Sequence, residues 1–323
     1  MKKSLPELWA VSNKSHRITM YHVPVLAELA VQYLVTNSDG VYIDGTLGGG
    51  GHSALILDKL SRNGLVIGID QDEDAVRFCK SRFADETRIK IVHENTEHMS
   101  RILQEINIDA VDGVLLDLGI SSHQIDEGAR GFSFREDGPL DMRMDLRTVA
   151  SALDIVSTAT AEELTSIIKR YGEERFAYQI SKRIVQRRTE RAIDTTDALK
   201  HVVLEVVKGP NAMKSVARVF QALRIAVNRE LDVLDEILEA TYASLKVGGR
   251  CVVISYHSLE DRKVKQFLKQ EAPVQNEIDR LYNATAPGLF NLITRSAIQP
   301  DEDEVQRNNR ARSARLRAAE KAV

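Results

Sequence analysis

Cysteine is scarce in this 323-residue chain: Cys79 and Cys251 are the only two. Two thiols exclude a disulfide scaffold and a cysteine-built zinc cluster, and they fit a reducing cytosol, so a cytoplasmic protein is expected. Aromatic residues are few, at 5%, although an apolar share of 43% is enough for a sizeable core. No apolar run approaches the length that crosses a bilayer. Residues Met1 to Met20 are polar and lack the apolar centre of a signal peptide, so they read as a loose extension. Charge of one sign is also missing. With a formal net charge of −3, the whole-molecule field does not advertise a polyanion partner, and any nucleic-acid site has to be a local patch.

What is present begins with three short apolar runs that close on an acid: Val41-Tyr42-Ile43-Asp44, Leu65 to Asp70, and Val114-Leu115-Leu116-Asp117. Continuous rather than alternating, such runs fit strands buried on both faces of a parallel sheet. Ile89 to Val92 reads as a further strand, and helical spacing fills the gaps, as at Ala54, Leu55, Leu57 and Leu60. The alternation of strand and helix predicts an open, doubly wound α/β sheet over 21–125. From 126 to 215 the strand signal vanishes. Thr160-Ala161-Glu162-Glu163 is a capping box, Phe176 to Arg188 and Leu199 to Val207 read as helices, and the whole stretch predicts an inserted all-helical domain. Sheet grammar returns over 216–323, with a long helix up to a stop at Gly248-Gly249, strands at Cys251 to Ser255 and Phe290 to Ile293, and an Arg-rich tail.

The strongest chemical signal is Asp44-Gly45-Thr46-Leu47-Gly48-Gly49-Gly50-Gly51-His52, which leaves a strand and enters a helix. Glycines let a backbone approach a ligand closely, and a helix N-terminus offers free N–H groups. Asp70 ends the next strand, where a carboxylate can accept both hydroxyls of a ribose. Together these describe a nucleoside site. Gly49-x-Gly51-x-x-Ala54 also satisfies the relaxed dinucleotide fingerprint, so an NAD-linked oxidoreductase competes. Asp44 would repel a pyrophosphate placed against the glycine loop but would attract a cationic methionyl group. Asp117, followed by Leu118-Gly119-Ile120-Ser121-Ser122-His123-Gln124, adds a third strand-end acid at the edge where open α/β sheets bind ligands. Methylation of an exocyclic amine needs acceptors there, and Asp117 is one; a polar loop capping the next element is the plainer alternative.

These stretches, in their order, resemble the bacterial 16S ribosomal RNA cytosine-N4 methyltransferases of the RsmH (MraW) type from about Tyr21 to Lys321. The similar words are His22 to Leu26, Asp44 to His52, Asp117 to Ser122, Arg130 to Phe134, Asp137 to Asp145, Tyr171 to Ala177, Phe220 to Asn228, Ser258 to Arg262 and Arg310 to Ala314. The resemblance implies a class I S-adenosylmethionine-dependent (Rossmann-like) core. It implies that Gly50, Gly51, His52, Asp70, Thr96, Asp117 and Gln124 contact S-adenosylmethionine. It further implies that the target base lies in the decoding region of the small ribosomal subunit. Thr96 stands where the family often has an aromatic residue, while His123 and Asn309 stand where it usually has proline.

Tyr256-His257-Ser258 follows a late strand, and His257 reads equally as a proton acceptor or as a structural hydrogen-bonding group. His22, His93 and His98 lack metal-ligand spacing, so no metal is expected. Lys169, Arg170, Arg175, Lys182, Arg183, Arg187, Arg188 and Arg191 make the insertion locally basic, which fits RNA recognition. The reading is therefore a methyltransferase acting on 16S ribosomal RNA within the small ribosomal subunit; a non-catalytic RNA-binding assembly factor is the second rival.

Overall fold

The computed structural model describes residues 24–120, 128–148, 150–271 and 288–323. They form two compact units, Met1–Gly119 with Val233–Val323, and Ile120–Asp232.

The first unit is built on strands β1 (Val41–Asp44), β2 (Leu65–Asp70), β3 (Ile89–His93), β4 (Val111–Asp117), β5 (Leu245–Ser255), β6 (Phe290–Leu292) and β7 (Arg315–Lys321). Their order across the sheet is β3-β2-β1-β4-β5-β7-β6. The first five run parallel, whereas β7 is antiparallel to both β5 and β6. The chain thus starts in the middle of the sheet and winds outward both ways, as the alternating pattern predicts. The apolar runs are continuous because both faces are covered. Side chains on one face, including Ile43, Ile67, Val114, Leu116 and Val253, pack against α4 (Met99–Glu105), α10 (Glu230–Ser244) and α11 (Ser258–Phe267). Those on the other face, including Tyr42, Val66, Leu115, Val252 and Ile254, pack against α1 (Ala27–Leu34) and α2 (Gly51–Lys59). Another helix, α3 (Glu73–Arg82), connects β2 and β3, with Ala75, Val76 and Cys79 buried.

The Arg-rich tail is not a loose basic extension. Arg315 and Arg317 lie in β7, between β5 and β6, and share the carboxylate of Asp261, with Arg317 Nε 2.8 Å from Oδ1 and Arg315 Nη1 3.2 Å from Oδ2. The expected helix stop at Gly248-Gly249 also falls elsewhere. Helix α10 ends at Ser244, and Gly248, with φ 81°, sits where β5 slips register against β4.

The second unit holds helices α5 (Ala152–Thr158), α6 (Ala161–Gly172), α7 (Ala177–Glu190), α8 (Thr196–Val206) and α9 (Ala212–Asn228). Thr160 forms the expected capping box with Glu163, and Ser151 forms another with Asp154. The helices close around Leu164, Ile168, Ile180, Ile184, Leu199, Val203, Val219 and Leu223. The unit runs from Ile120 to Asp232 rather than over the expected 126–215, because Ile120 packs on this core and α9 buries Val216, Val219, Phe220, Leu223 and Val227 in it rather than against the sheet. The glycine- and charge-rich segment before α5 is an ordered loop. Buried Arg130 donates to the carbonyls of Arg143 and Met144, while Asn228 at the end of α9 holds Met142 and Met144 by their backbone.

Candidate active site

Three acids end three adjacent parallel strands at one edge of the sheet. Asp44 pairs in register with Gly68 of β2 and Leu115 of β4, so Asp70 and Asp117 each stand two residues further along their strands. The edge therefore carries carboxylates on both sides of the turn that leaves β1.

That turn is tightly held. Gly48 and Gly50 have φ of 49° and 70°, the left-handed region where a side chain is strained. Gly50 is the N-cap of α2, and a Cβ there would lie 2.6 Å from a ring carbon of Phe83. Asp70 pins the turn from the neighbouring strand. Its Oδ2 accepts the Gly48 N–H at 2.7 Å, and its Oδ1 accepts the Asp72 N–H at 2.8 Å. From below, the Cys79 thiol donates to the Gly48 carbonyl at 3.2 Å and Arg82 donates to the Gly49 carbonyl. Thr96 is buried, and its hydroxyl donates to the Gly45 carbonyl. Its polar atom is thus engaged by the turn.

Asp44 is fully buried and accepts the Ser53 hydroxyl at 2.6 Å. Burial pushes its carboxyl above the ordinary carboxylate range, although His52 and Ser53 oppose the rise. Gly51 opens α2, and His52 follows it, buried, with Nε2 3.2 Å from the Val25 carbonyl and Nδ1 3.8 Å from Asp117 Oδ2. Asp117 is the most connected of the three acids. Its backbone N–H donates to Thr46 Oγ1 at 2.6 Å, and its Oδ1 accepts the Tyr256 hydroxyl at 2.8 Å. Desolvation raises Asp117 to about 6, with His52 and the Tyr256 hydroxyl pulling down and Asp44 and Glu260 pushing up. Asp70 is likewise pushed up to about 6 by burial, against its two backbone donors. Among the described residues no Lys or Arg pairs with any of the three.

The residue pattern places Tyr256 on the substrate side of the pocket but does not disclose its bond to Asp117. Tyr256 follows β5, which pairs with β4 so that Ile254 lies opposite Asp117, and residue 256 therefore emerges beside that carboxylate. The signal was the parallel pairing of two strands far apart in sequence. Buried Glu260 fixes this corner by accepting the N–H groups of Tyr256 and His257 at 2.8 and 3.2 Å. His257 caps α11, with Nδ1 accepting from the Glu260 N–H at 3.4 Å, so it serves a structural hydrogen bond. His93 contacts the Gln71 carbonyl and His98 sits beside Glu97, outside any cluster. Gln124 lies outside the described residues, as do Ser121, Ser122, His123 and His22.

The MraW methylase family model matches residues 19–322. The chain belongs to that family. Among its relatives is ribosomal RNA small subunit methyltransferase H of Caldicellulosiruptor saccharolyticus, 45% identical over 93% of this chain and 99% of the relative. The proteins of the same name from Methylobacillus flagellatus and Geotalea uraniireducens are 48% and 46% identical, over 93% of this chain and 94% and 98% of theirs. As a methylase of this family the chain has the class I methyltransferase core expected from the resemblance, a doubly wound sheet with β7 reversed. Membership also sets aside the oxidoreductase reading of the glycine loop.

Proposed function

We propose that this methylase transfers a methyl group from S-adenosylmethionine to the exocyclic N4 amine of a cytosine in the decoding region of 16S ribosomal RNA. What carries the reading is family membership across nearly the whole chain, joined to three strand-end carboxylates around a glycine turn. The relatives' shared name supports the small-subunit RNA as substrate, and the resemblance supports the cytosine amine and the decoding region. An RNA substrate of this kind places the reaction in the cytoplasm.

The residues fit a cationic nucleoside. Buried Asp44 and half-buried Asp70 and Asp117 lie at one strand edge without a Lys or Arg partner among the described residues, which favours a ligand that brings positive charge. Both Asp70 oxygens already accept one N–H each, and each retains a lone pair for a ribose hydroxyl. Gly50, Gly51 and His52 bring the start of α2 against the ligand, and the resemblance adds Gln124, which lies outside the described residues, as a further contact. Thr96 contributes by closing the turn through Gly45. When bound, S-adenosylmethionine supplies an electrophilic methyl group.

Asp117 is the residue that orients the target amine. Tyr256 occupies Oδ1, which leaves Oδ2 to accept from the amine and draw its lone pair toward attack. The cytosine has to leave its stack to reach a strand edge, so an unpaired or flipped base is required. Positioning, rather than a chain of proton transfers, supplies most of the acceleration. Mass mapping of 16S RNA from cells lacking the protein tests the assignment. One cytosine should lose a methyl group, and an unchanged RNA would count against it.

A further inference from the structure

Lys182, Arg183, Arg187 and Arg188 are neighbours in sequence, and charge alone makes them a single basic stretch. The helical unit divides them by use. Arg183 Nε lies 2.5 Å from Glu205 Oε2 of α8, and Arg187 Nη1 lies 3.2 Å from Glu190 Oε2. Arg188 turns inward, where Nη1 donates to the carbonyls of Val156 and Ala159 at 2.7 Å and so satisfies the end of α5. These arginines neutralise acids or cap a helix within the unit.

The adjoining flank of α7 is different. Tyr178, Gln179, Lys182, Gln186 and Thr189 are all exposed, and at helical spacing they share an arc of about 100° that carries no acid. Tyr178, 59% exposed, is an aromatic ring left in solvent by a chain that has few. Lys169 and Arg170 in the last turn of α6, and Arg175 in the turn before α7, are exposed at the same end. Among the described residues, Lys169, Arg170, Arg175 and Lys182 make no ion pair. Of the two acids in this turn, Glu174 is buried with Oε2 3.5 Å from Arg218, and Glu173 faces solvent. Two of the guanidinium groups are held by rings, Arg170 at 5.3 Å from the Tyr171 centroid and Arg175 at 4.4 Å from that of Phe176. Stacking of this kind fixes a guanidinium while leaving its N–H edges available.

We propose that this end of the helical unit, and not the Arg183–Arg187 flank, binds a single-stranded stretch of the RNA substrate. Lys169, Arg170, Arg175 and Lys182 take its phosphates, and the Tyr178 ring stacks on an unpaired base. The proposal rests on the RNA-methylating reading above. Charge complementarity selects a polyanion, and an exposed ring among the cations selects one that carries stackable bases.

The test is binding of purified 16S RNA by the full-length protein over a salt series, with calorimetric affinity for S-adenosylmethionine as the folding control. Each phosphate contact on single-stranded RNA contributes about 0.7 to the slope of log affinity against log salt, so R175Q/K182Q together should flatten that slope by about 1.4. Y178A should bind about tenfold more weakly with the wild-type slope, because a stack is lost but no phosphate contact. R187Q should match wild type in both, and all variants should keep wild-type cofactor affinity. Wild-type affinity and slope in both Y178A and R175Q/K182Q would overturn the proposal, as would a flattened slope confined to R187Q. If instead the wild-type protein neither binds nor methylates 16S RNA, the underlying reading fails and takes this surface with it.

Discussion

Asp117 presents two unlike oxygens. Oδ1 accepts the Tyr256 hydroxyl at 2.8 Å, whereas Oδ2 faces the His52 ring at 3.8 Å. Burial raises this carboxyl to about 6, and the hydroxyl, by donating to the charged form, holds it lower than burial alone would. An ionised Asp117 accepts the target amine better, so turnover should fall as pH drops through about 6. Y256F keeps the ring and removes the donor, which should move this acid limb to higher pH while leaving cofactor affinity nearly unchanged. Single-turnover methylation across pH 5–8 reads the limb, and an unmoved limb would remove Tyr256 from the function of Asp117. Asp70 answers to a different measurement. Its folded value of about 6 exceeds the ordinary 3.8, so its contribution to stability is present below about pH 4 and is lost as pH rises through 6. A cation bound beside the ionised group reverses that loss, and S-adenosylmethionine affinity should therefore rise between about pH 5 and pH 7. A flat profile would contradict the role. D70A should cost about 2–3 kcal/mol of cofactor binding, because it removes the ribose acceptors and also releases the Gly48 and Asp72 N–H groups. D70N, which keeps one acceptor oxygen, should lose less.

At the scale of elements, the turn from β1 into α2 is the most constrained piece of the site. G50A would force a side chain into left-handed backbone and bring its Cβ to 2.6 Å from Phe83. Stability should fall by about 1–3 kcal/mol, with a loss of cofactor affinity, as chemical denaturation and calorimetry would show. T160A breaks the capping box of α6 and should destabilise the helical unit by about 1 kcal/mol with cofactor affinity intact. Strands β1 to β4 were legible in the sequence because a strand covered on both faces must be apolar throughout. Strand β7 was not. Its Arg315 and Arg317 read as a basic tail, and nothing local announces that Asp261 pairs with them while Leu316 and Ala318 pack on the sheet. Periodicity likewise revealed the apolar face of α9 but not which core receives it, and so the boundary of the helical unit was drawn too early. Caps depend on adjacent residues, and the one at Thr160 was read correctly. Contacts such as Tyr256 with Asp117 depend on strand order, which no short window encodes.

For the molecule as a whole, the division of labour follows its chemistry. The sheet unit gathers acids at one edge, where they suit a cation, and the helical unit leaves lysine and arginine in solvent, where they suit a polyanion. A formal net charge of −3 says nothing of this separation, because it sums over the whole chain. No described helix is long and apolar enough to cross a membrane. The glycine turn reads as a nucleoside site from the residues alone, and the family resemblance implies which nucleoside and which base. The most direct test of that assignment is incubation of the purified protein with methyl-labelled S-adenosylmethionine and unmethylated small ribosomal subunits or their RNA. Chromatography of the digested nucleosides then identifies the labelled species. Label in N4-methylcytidine from a single site of 16S RNA is the expected result. Absence of label, or label on a ring carbon or on another base, would contradict it.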